Sequence, residues 1–190
     1  MSHASGTQKF DPAEALGAAE VHLVGGQERA ADAEGPAREA VAYYVEEKVI
    51  HGEALVSGVL AQAVLAEGRS SEALAFARRA AVLAAKSGIQ ETQIALATPL
   101  AFALAQTGKT GEAERLLRNA LNEAKRFGFV PLEFETRLAL GEVEIKSGKI
   151  ADGRARLEIL ARDAETRGFA LIAKKALAAR YPGPPPGSPT

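Results

Sequence analysis

The sequence contains no cysteine and no tryptophan, and aromatic residues make up only 5% of its 190 residues. The lack of cysteine excludes disulfide bonds, zinc–thiolate sites and cysteine nucleophiles. An excess of charge of one sign is also missing, because 23 basic and 24 acidic side chains leave a formal net charge of −1. Such a chain lacks the long-range field that attracts nucleic acid or an anionic membrane. Neither is therefore expected as a partner.

Long apolar segments are absent as well. No run of 18 apolar residues occurs, so the sequence predicts no membrane-spanning helix. The first residues, Met1 to Gly6, lack the basic and apolar regions of a secretory signal peptide. We therefore expect a cytoplasmic protein.

Recognisable catalytic and cofactor motifs are missing too. His3, His22 and His51 share no metal-ligand spacing, and a metal site needs converging ligands. The chain has no glycine-rich phosphate loop, nucleophile elbow or zinc-binding helix motif. The sequence thus predicts no metal, no cofactor and no enzyme, and an enzyme with an unfamiliar site is the last alternative.

What the chain has is alanine and leucine, which favour helix over strand, arranged in a repeat of 40 residues. Glycines recur at that spacing in two series, which are Gly68, Gly108 and Gly148, then Gly88, Gly128 and Gly168. The second series follows basic residues and precedes an apolar residue, a pattern typical of a helix C-terminus with a left-handed cap. The first series predicts the short turn inside each helix pair, where Ser70 and Thr110 are expected to cap the next helix.

These signals divide the chain into helix pairs. Helix A of each unit is expected over roughly 53–67, 92–107 and 131–147, and helix B over roughly 70–87, 110–127 and 150–167. A last helix over 170–180 is expected to cap the stack. Pro99 lies inside the second A helix, which must kink there or begin near Thr98.

The domain organisation follows from the same period. A repeat domain is expected over 36–180, with a partial unit 36–51, full units 52–90, 91–130 and 131–169, and the cap 170–180. Pro36 would stand near the start of the partial unit. Residues 1–35 are expected to be poorly ordered apart from a short helix over 12–24, with a loop over 25–35. The proline-rich stretch 181–190 is expected to be disordered.

Small residues recur where two antiparallel helices would touch. They are Ala61, Ala101 and Gly141 in helix A, and Ala73, Ala113, Gly153, Ala80 and Ala120 in helix B. This spacing resembles the tetratricopeptide repeat (TPR), in a variant longer than the usual unit. The resemblance implies an all-α, right-handed superhelical stack of antiparallel helix pairs, a TPR-like α-solenoid. Residues 140–175 are also similar to the ends of arrays attached to bacterial signalling proteins.

In such stacks the A helices line a concave surface that binds the partner. The resemblance then implies a groove that includes Gln62, Thr98, Phe102, Gln106, Leu138, Glu142 and Lys146. Its mixture of apolar and polar residues suits an extended peptide or a partner helix. The leading hypothesis is a non-catalytic protein-interaction scaffold. The alternative is a ligand-sensing or dimerisation module of a bacterial signalling or regulatory system, so a homodimer stays open.

Overall fold

The computed structural model describes residues 11, 14 and 17 and the continuous stretch 27–181. Within that stretch the chain forms α1 (Gln27–Glu46), α2 (Ile50–Ala66), α3 (Ser70–Ser87), α4 (Gln90–Ala95), α5 (Ala97–Gln106), α6 (Thr110–Phe127), α7 (Val130–Lys146), α8 (Ile150–Thr166) and α9 (Ala170–Ala179). The described residues contain no strand. The predicted all-α class is therefore confirmed.

The helix starts repeat with the period of the sequence. Helices α2, α4, α7 and α9 begin at Ile50, Gln90, Val130 and Ala170, always 40 residues apart. We call α2, the pair α4 and α5, α7 and α9 the A helices, and α1, α3, α6 and α8 the B helices. By this register, α9 stands where the A helix of a fourth unit begins, and it packs on α8 and α7 at the end of the described stack.

Packing explains why the two rows of helices differ. Each helix packs on the next along the chain, and the A helices also contact one another, α2 with α5, α5 with α7, and α7 with α9. Successive B helices of the described chain make no comparable contact. A stack whose A helices touch while its B helices spread apart curves toward its A side. The A helices therefore line the inside of the curve.

The N-terminal prediction needs correction. The loop expected over 25–35 is helical from Gln27 onward, and Pro36 lies inside α1 rather than near its start. Ala33, Ala37 and Ala40 are completely buried at helical spacing, so packing of this stripe outweighs the local preference of proline for a helix start. The predicted helix 12–24 lies almost wholly outside the described residues, and so does the tail 182–190.

The turn glycines are left-handed in both series, as predicted for Gly88, Gly128 and Gly168, whereas Gly68, Gly108 and Gly148 had been predicted only to lie in turns. All six glycines of the two series have φ between 70° and 88°. At Gly128, the N–H donates to the carbonyl of Lys125 (3.2 Å), and the Phe129 N–H donates to that of Ala124 (2.9 Å). This pair of bonds is a Schellman cap. Ser70 and Thr110 are not caps as predicted, because each is the first residue of its helix.

Pro99 interrupts the second A helix as predicted. The helix is interrupted by a turn at Leu96, whose φ of −78° and ψ of −5° stay in the right-handed region, and α5 begins at Ala97, so α4 and α5 are two segments. Proline has no N–H to donate to the carbonyl of Ala95 and crowds that turn. At this break the Leu96 side chain packs on α2, where it occupies the space that a Cβ on Gly58 would need. Thr98 lies within α5 and does not cap it.

Candidate functional site

A groove of about 1020 Å3 lies on the A side of the stack. Every A helix contributes to its lining, in keeping with the curvature described above. Its lining residues are Gln62, Ala95, Thr98, Pro99, Phe102, Glu135, Leu138, Ala139, Glu142, Lys175, Ala178, Ala179 and the segment 168–172. The groove therefore extends across four units of the repeat.

A smaller recess of about 320 Å3 opens beside the groove. It is formed by α5, α7 and α9, and three residues, Phe102, Glu142 and Ala179, line both spaces. The remaining lining is Val143, Ile145 and Lys146. Phe102 and Glu142 thus stand where an apolar recess joins a long open groove.

The structure brings together most of the residues expected on this face. Gln62, Thr98, Phe102, Leu138 and Glu142 line the groove, and Lys146 lines the recess. Gln106, in contrast, is exposed at the end of α5 and lines neither space. Six of the seven expected residues therefore share one continuous surface.

Sequence reasoning missed the wall supplied by α9. Lys175, Ala178 and Ala179 line the groove from that helix, which we had expected only to close the end of the stack. The missed signal was the position of Gly168. The earlier glycines of its series, Gly88 and Gly128, each stand two residues before the start of an A helix. Extending the period by one step would have placed α9 in the groove.

Phe102 is the large aromatic side chain of the groove's middle. It lies one turn after Pro99 on the same face of α5, is half-buried, and packs against the main hydrophobic cluster. The period places Gln62 and Glu142 at the equivalent positions. An aromatic residue at this position is therefore particular to the second unit, as the sequence indicated. Its side chain packs partly on the hydrophobic core and is partly exposed to the groove.

The electrostatics of the groove centre on Glu142. Burial between the walls raises the pKa of Glu142 to about 7, although Lys175 and Lys146 act in the opposite direction. Partial desolvation also raises the pKa of Glu135 and lowers the pKa of Lys146, although both side chains stay exposed in part. Desolvation disfavours the charged form of each group. The pKa values of these three groups are therefore shifted toward their neutral forms.

Glu144, two residues further along α7, has a different environment. Its carboxylate is 1% exposed and accepts hydrogen bonds from Arg118 Nη2 at 2.9 Å and from Arg156 Nε at 2.8 Å. Those arginines belong to α6 and α8, so the carboxylate joins three successive helices. A buried charge held by two guanidinium groups is a structural contact, and it does not line the groove.

The described part of the chain contains no cluster of three or more histidine, aspartate or glutamate side chains arranged to hold a metal ion. None of its helices combines the length and the apolar character required to cross a membrane.

Comparison with known proteins identifies the fold. No protein-family model and no curated protein matches the sequence. Among solved structures, the nearly identical TPR-like repeats of a putative kinesin light chain from Podosopora anserina match with a TM-score of 0.62 and 17% identity, over 90% of this chain and 94% of that one. A Rap protein complexed with competence and sporulation factor matches with a TM-score of 0.72 and 14% identity.

The match to the Rap protein covers 88% of this chain but 47% of that one, so the chain spans about half the length of the Rap protein. Identities this low establish the fold and no more. The architecture implied by the small-residue pattern, a TPR-like stack of antiparallel helix pairs, is confirmed.

Proposed function

We propose that the chain is a non-catalytic interaction scaffold that binds a peptide or a partner helix in the groove of its A helices. The observation that carries this proposal is the groove itself, which is open, crosses four units and combines apolar walls with a few polar groups. Such a surface suits an elongated ligand whose side chains are read at intervals. Phe102, at the middle, is the best placed anchor, since buried aromatic residues often dominate binding energy.

The comparison with solved structures supports this proposal at the level of the fold. The Rap protein, whose structure is a complex with competence and sporulation factor, matches 88% of the present chain. A cytoplasmic location, a role in bacterial signalling and the absence of nucleic-acid and membrane partners stay predictions.

A ligand-sensing or dimerising module is the second candidate. The observation in its favour is the recess of about 320 Å3, which lies within the size range of small-molecule sites. The larger groove argues for the first candidate, because a small molecule would leave most of its length empty.

Capture experiments with matched variants test the proposed function. Wild-type protein, Phe102→Ala and Phe127→Ala would be immobilised and exposed to extract of the native host, and bound proteins identified by mass spectrometry. Phe127 is the control because it is an exposed aromatic residue at the end of a B helix, away from the groove. We expect partners that are retained by Phe127→Ala and lost by Phe102→Ala, with affinity reduced by roughly 2 kcal/mol or more.

Equal capture by both variants would refute the groove as the binding surface. Size-exclusion chromatography of the purified chain separates the second candidate, because a dimer that Phe102→Ala dissociates would mean that the groove binds another copy.

A further inference from the structure

Glu142 differs from the other buried and half-buried acidic side chains of the described residues because it lacks an ion pair. Among the described residues, every other aspartate or glutamate that is half-buried or buried makes an ion pair with arginine or lysine, and Glu135, the other carboxylate of the groove, has an exposed side chain. Glu114, for example, receives Lys149 Nζ at 2.7 Å. Glu142 makes no hydrogen bond and no direct ion pair with any residue that the structure describes. A carboxylate withdrawn from water without a partner is unfavourable.

The nearest cations leave this carboxylate without a direct partner. Lys146 lies one helical turn after Glu142 on α7, the spacing at which an ion pair forms readily. Lys146 and Lys175 both act on the pKa of Glu142. The side chains of both lysines are exposed to solvent. Among the described lining residues, the remaining charged group of the groove is Glu135, also on α7. Helices α2, α4 and α5 contribute only uncharged side chains to the lining.

The surroundings of Glu142 favour an organic cation over water alone. Phe102 lines both the groove and the recess beside it, and Val143, Ile145 and Ala179 complete the apolar part of the recess. A guanidinium or ammonium group between a carboxylate and an aromatic ring gains both charge pairing and cation–π attraction. The methylene stem of a lysine or arginine would fill apolar space at the same point.

We propose that the groove selects peptides carrying a lysine or arginine side chain, which pairs with the Glu142 carboxylate beside the Phe102 ring. This inference rests on the proposed function, because it specifies which ligand the groove reads. The recess next to the pair takes an apolar side chain of the same ligand. The recognised element is thus one basic residue close to one apolar residue.

A pH dependence of binding follows from the same contact. With a pKa of about 7 in the free protein, Glu142 is mostly protonated at pH 6 and mostly charged at pH 8. Its charged fraction differs about tenfold between these two values, so affinity for a basic peptide should fall about tenfold from pH 8 to pH 6. Lysine and arginine side chains of the ligand stay protonated throughout. Glu142→Gln removes this dependence.

Selection from a displayed library of random heptapeptides tests the proposal. The full chain would be used as wild type, as Glu142→Gln, as Phe102→Ala and as Glu112→Gln. Glu112 is the control because it is an exposed, unpaired glutamate on a B helix. We expect wild type and Glu112→Gln to enrich the same basic and apolar pattern, and Glu142→Gln to lose the basic residue. Binding of one enriched synthetic peptide, with its basic residue kept or replaced by norleucine, would then be measured at pH 6 and pH 8.

The outcomes separate this inference from the proposed function. Peptides that Phe102→Ala loses but that show no basic residue, or a basic preference that Glu142→Gln retains, would overturn the inference and leave the groove as the binding site. No enrichment that depends on Phe102 would overturn both. Should Phe102→Ala fail to fold, Gln62→Trp, which fills the groove from α2, replaces it as the blocking variant.

Discussion

Gly141 and Gly153 face each other across the third helix pair, so closely that a Cβ on Gly153 would lie 2.6 Å from the Gly141 carbonyl oxygen. The first two units place alanine at both of these positions, Ala61 with Ala73 and Ala101 with Ala113, and all four alanines are completely buried. Helices α7 and α8 therefore approach at a point where even a methyl group does not fit.

The first prediction concerns this approach. Gly153→Ala should destabilise the protein by about 1–3 kcal/mol, because the new Cβ would force the two helices apart. Gly111→Ala is the matched control, since Gly111 is also helical but its Cβ would meet only the end of the Arg115 side chain, at 3.8 Å. There the gain in helix propensity should stabilise by up to about 1 kcal/mol. The free energy of unfolding of both variants, measured in urea, tests this prediction. Equal changes in the two variants would contradict the close approach of α7 and α8.

The second prediction concerns Lys48, the described non-glycine residue with a positive φ, at 57°. It occupies the position equivalent to Gly88, and the Val49 N–H donates to the carbonyl of Tyr44 (3.0 Å) as in the glycine caps. A side chain in this conformation costs about 1–2 kcal/mol. Lys48→Gly should therefore raise the free energy of unfolding by about 0.5–1 kcal/mol, after the larger unfolded-state entropy of glycine is subtracted.

The reciprocal change at Gly88 provides the control for the second prediction. Gly88→Lys should lower the free energy of unfolding by about 1 kcal/mol, because it places a side chain in the left-handed region. If neither substitution changed the thermal midpoint of unfolding, a side chain in the left-handed conformation would not lower stability at these two positions.

Much of this fold could be predicted because its glycines carry a physical signal. A glycine such as Gly128, after basic residues and before an apolar one, marks a helix end regardless of the rest of the chain, and the predicted helix limits after residue 50 agree with the structure within three residues. The start of α1 could not be predicted in this way. Gly35 and Pro36 are local helix breakers. They stay helical because the alanine stripe of α1 is buried in the contact between α1 and α2.

The candidate groove was predictable in part for a similar reason. A repeat places equivalent positions on one face, so Gln62, Phe102 and Glu142 could be assigned together from their spacing. The isolation of Glu142 could not be predicted, because it depends on side-chain positions in space. Lys146 stands at an ideal sequence distance for pairing, and Lys175 is 33 residues away, yet neither forms a direct ion pair with it.

The third prediction concerns the ion pairs at Glu144. In the second unit the equivalent positions of Glu144 and Arg156 hold Leu104 and Leu116. Glu144→Leu should destabilise by about 1–3 kcal/mol, because it leaves the guanidinium of Arg156 against an apolar neighbour. The double variant with Arg156→Leu copies the second unit and should recover most of that loss.

A double-mutant cycle measured by urea unfolding tests the third prediction. The coupling free energy between the two substitutions should be clearly different from zero. A double variant that is as unstable as the sum of the two single variants would show that the third unit cannot accept the apolar pair.

The last prediction uses the carboxylate in the groove to link stability to pH. Because the pKa of Glu142 is raised to about 7 in the folded chain, from 4.5, the folded state binds a proton more readily than the unfolded state between these values. Stability contributed by this group is therefore fully present below about pH 4.5 and is lost as pH rises through 7.

Glu142→Gln keeps the shape of the side chain but removes the titration. The variant should gain stability over wild type as pH rises from 5 to 8. Water still reaches the partly exposed carboxylate, so we expect a change of no more than about 2 kcal/mol. Unfolding in urea at pH 5 and pH 8 measures it, with Glu112→Gln as the control that should show a much smaller difference. A Glu142→Gln curve parallel to wild type at both pH values would mean that Glu142 is solvated and that the groove does not hold an uncompensated charge.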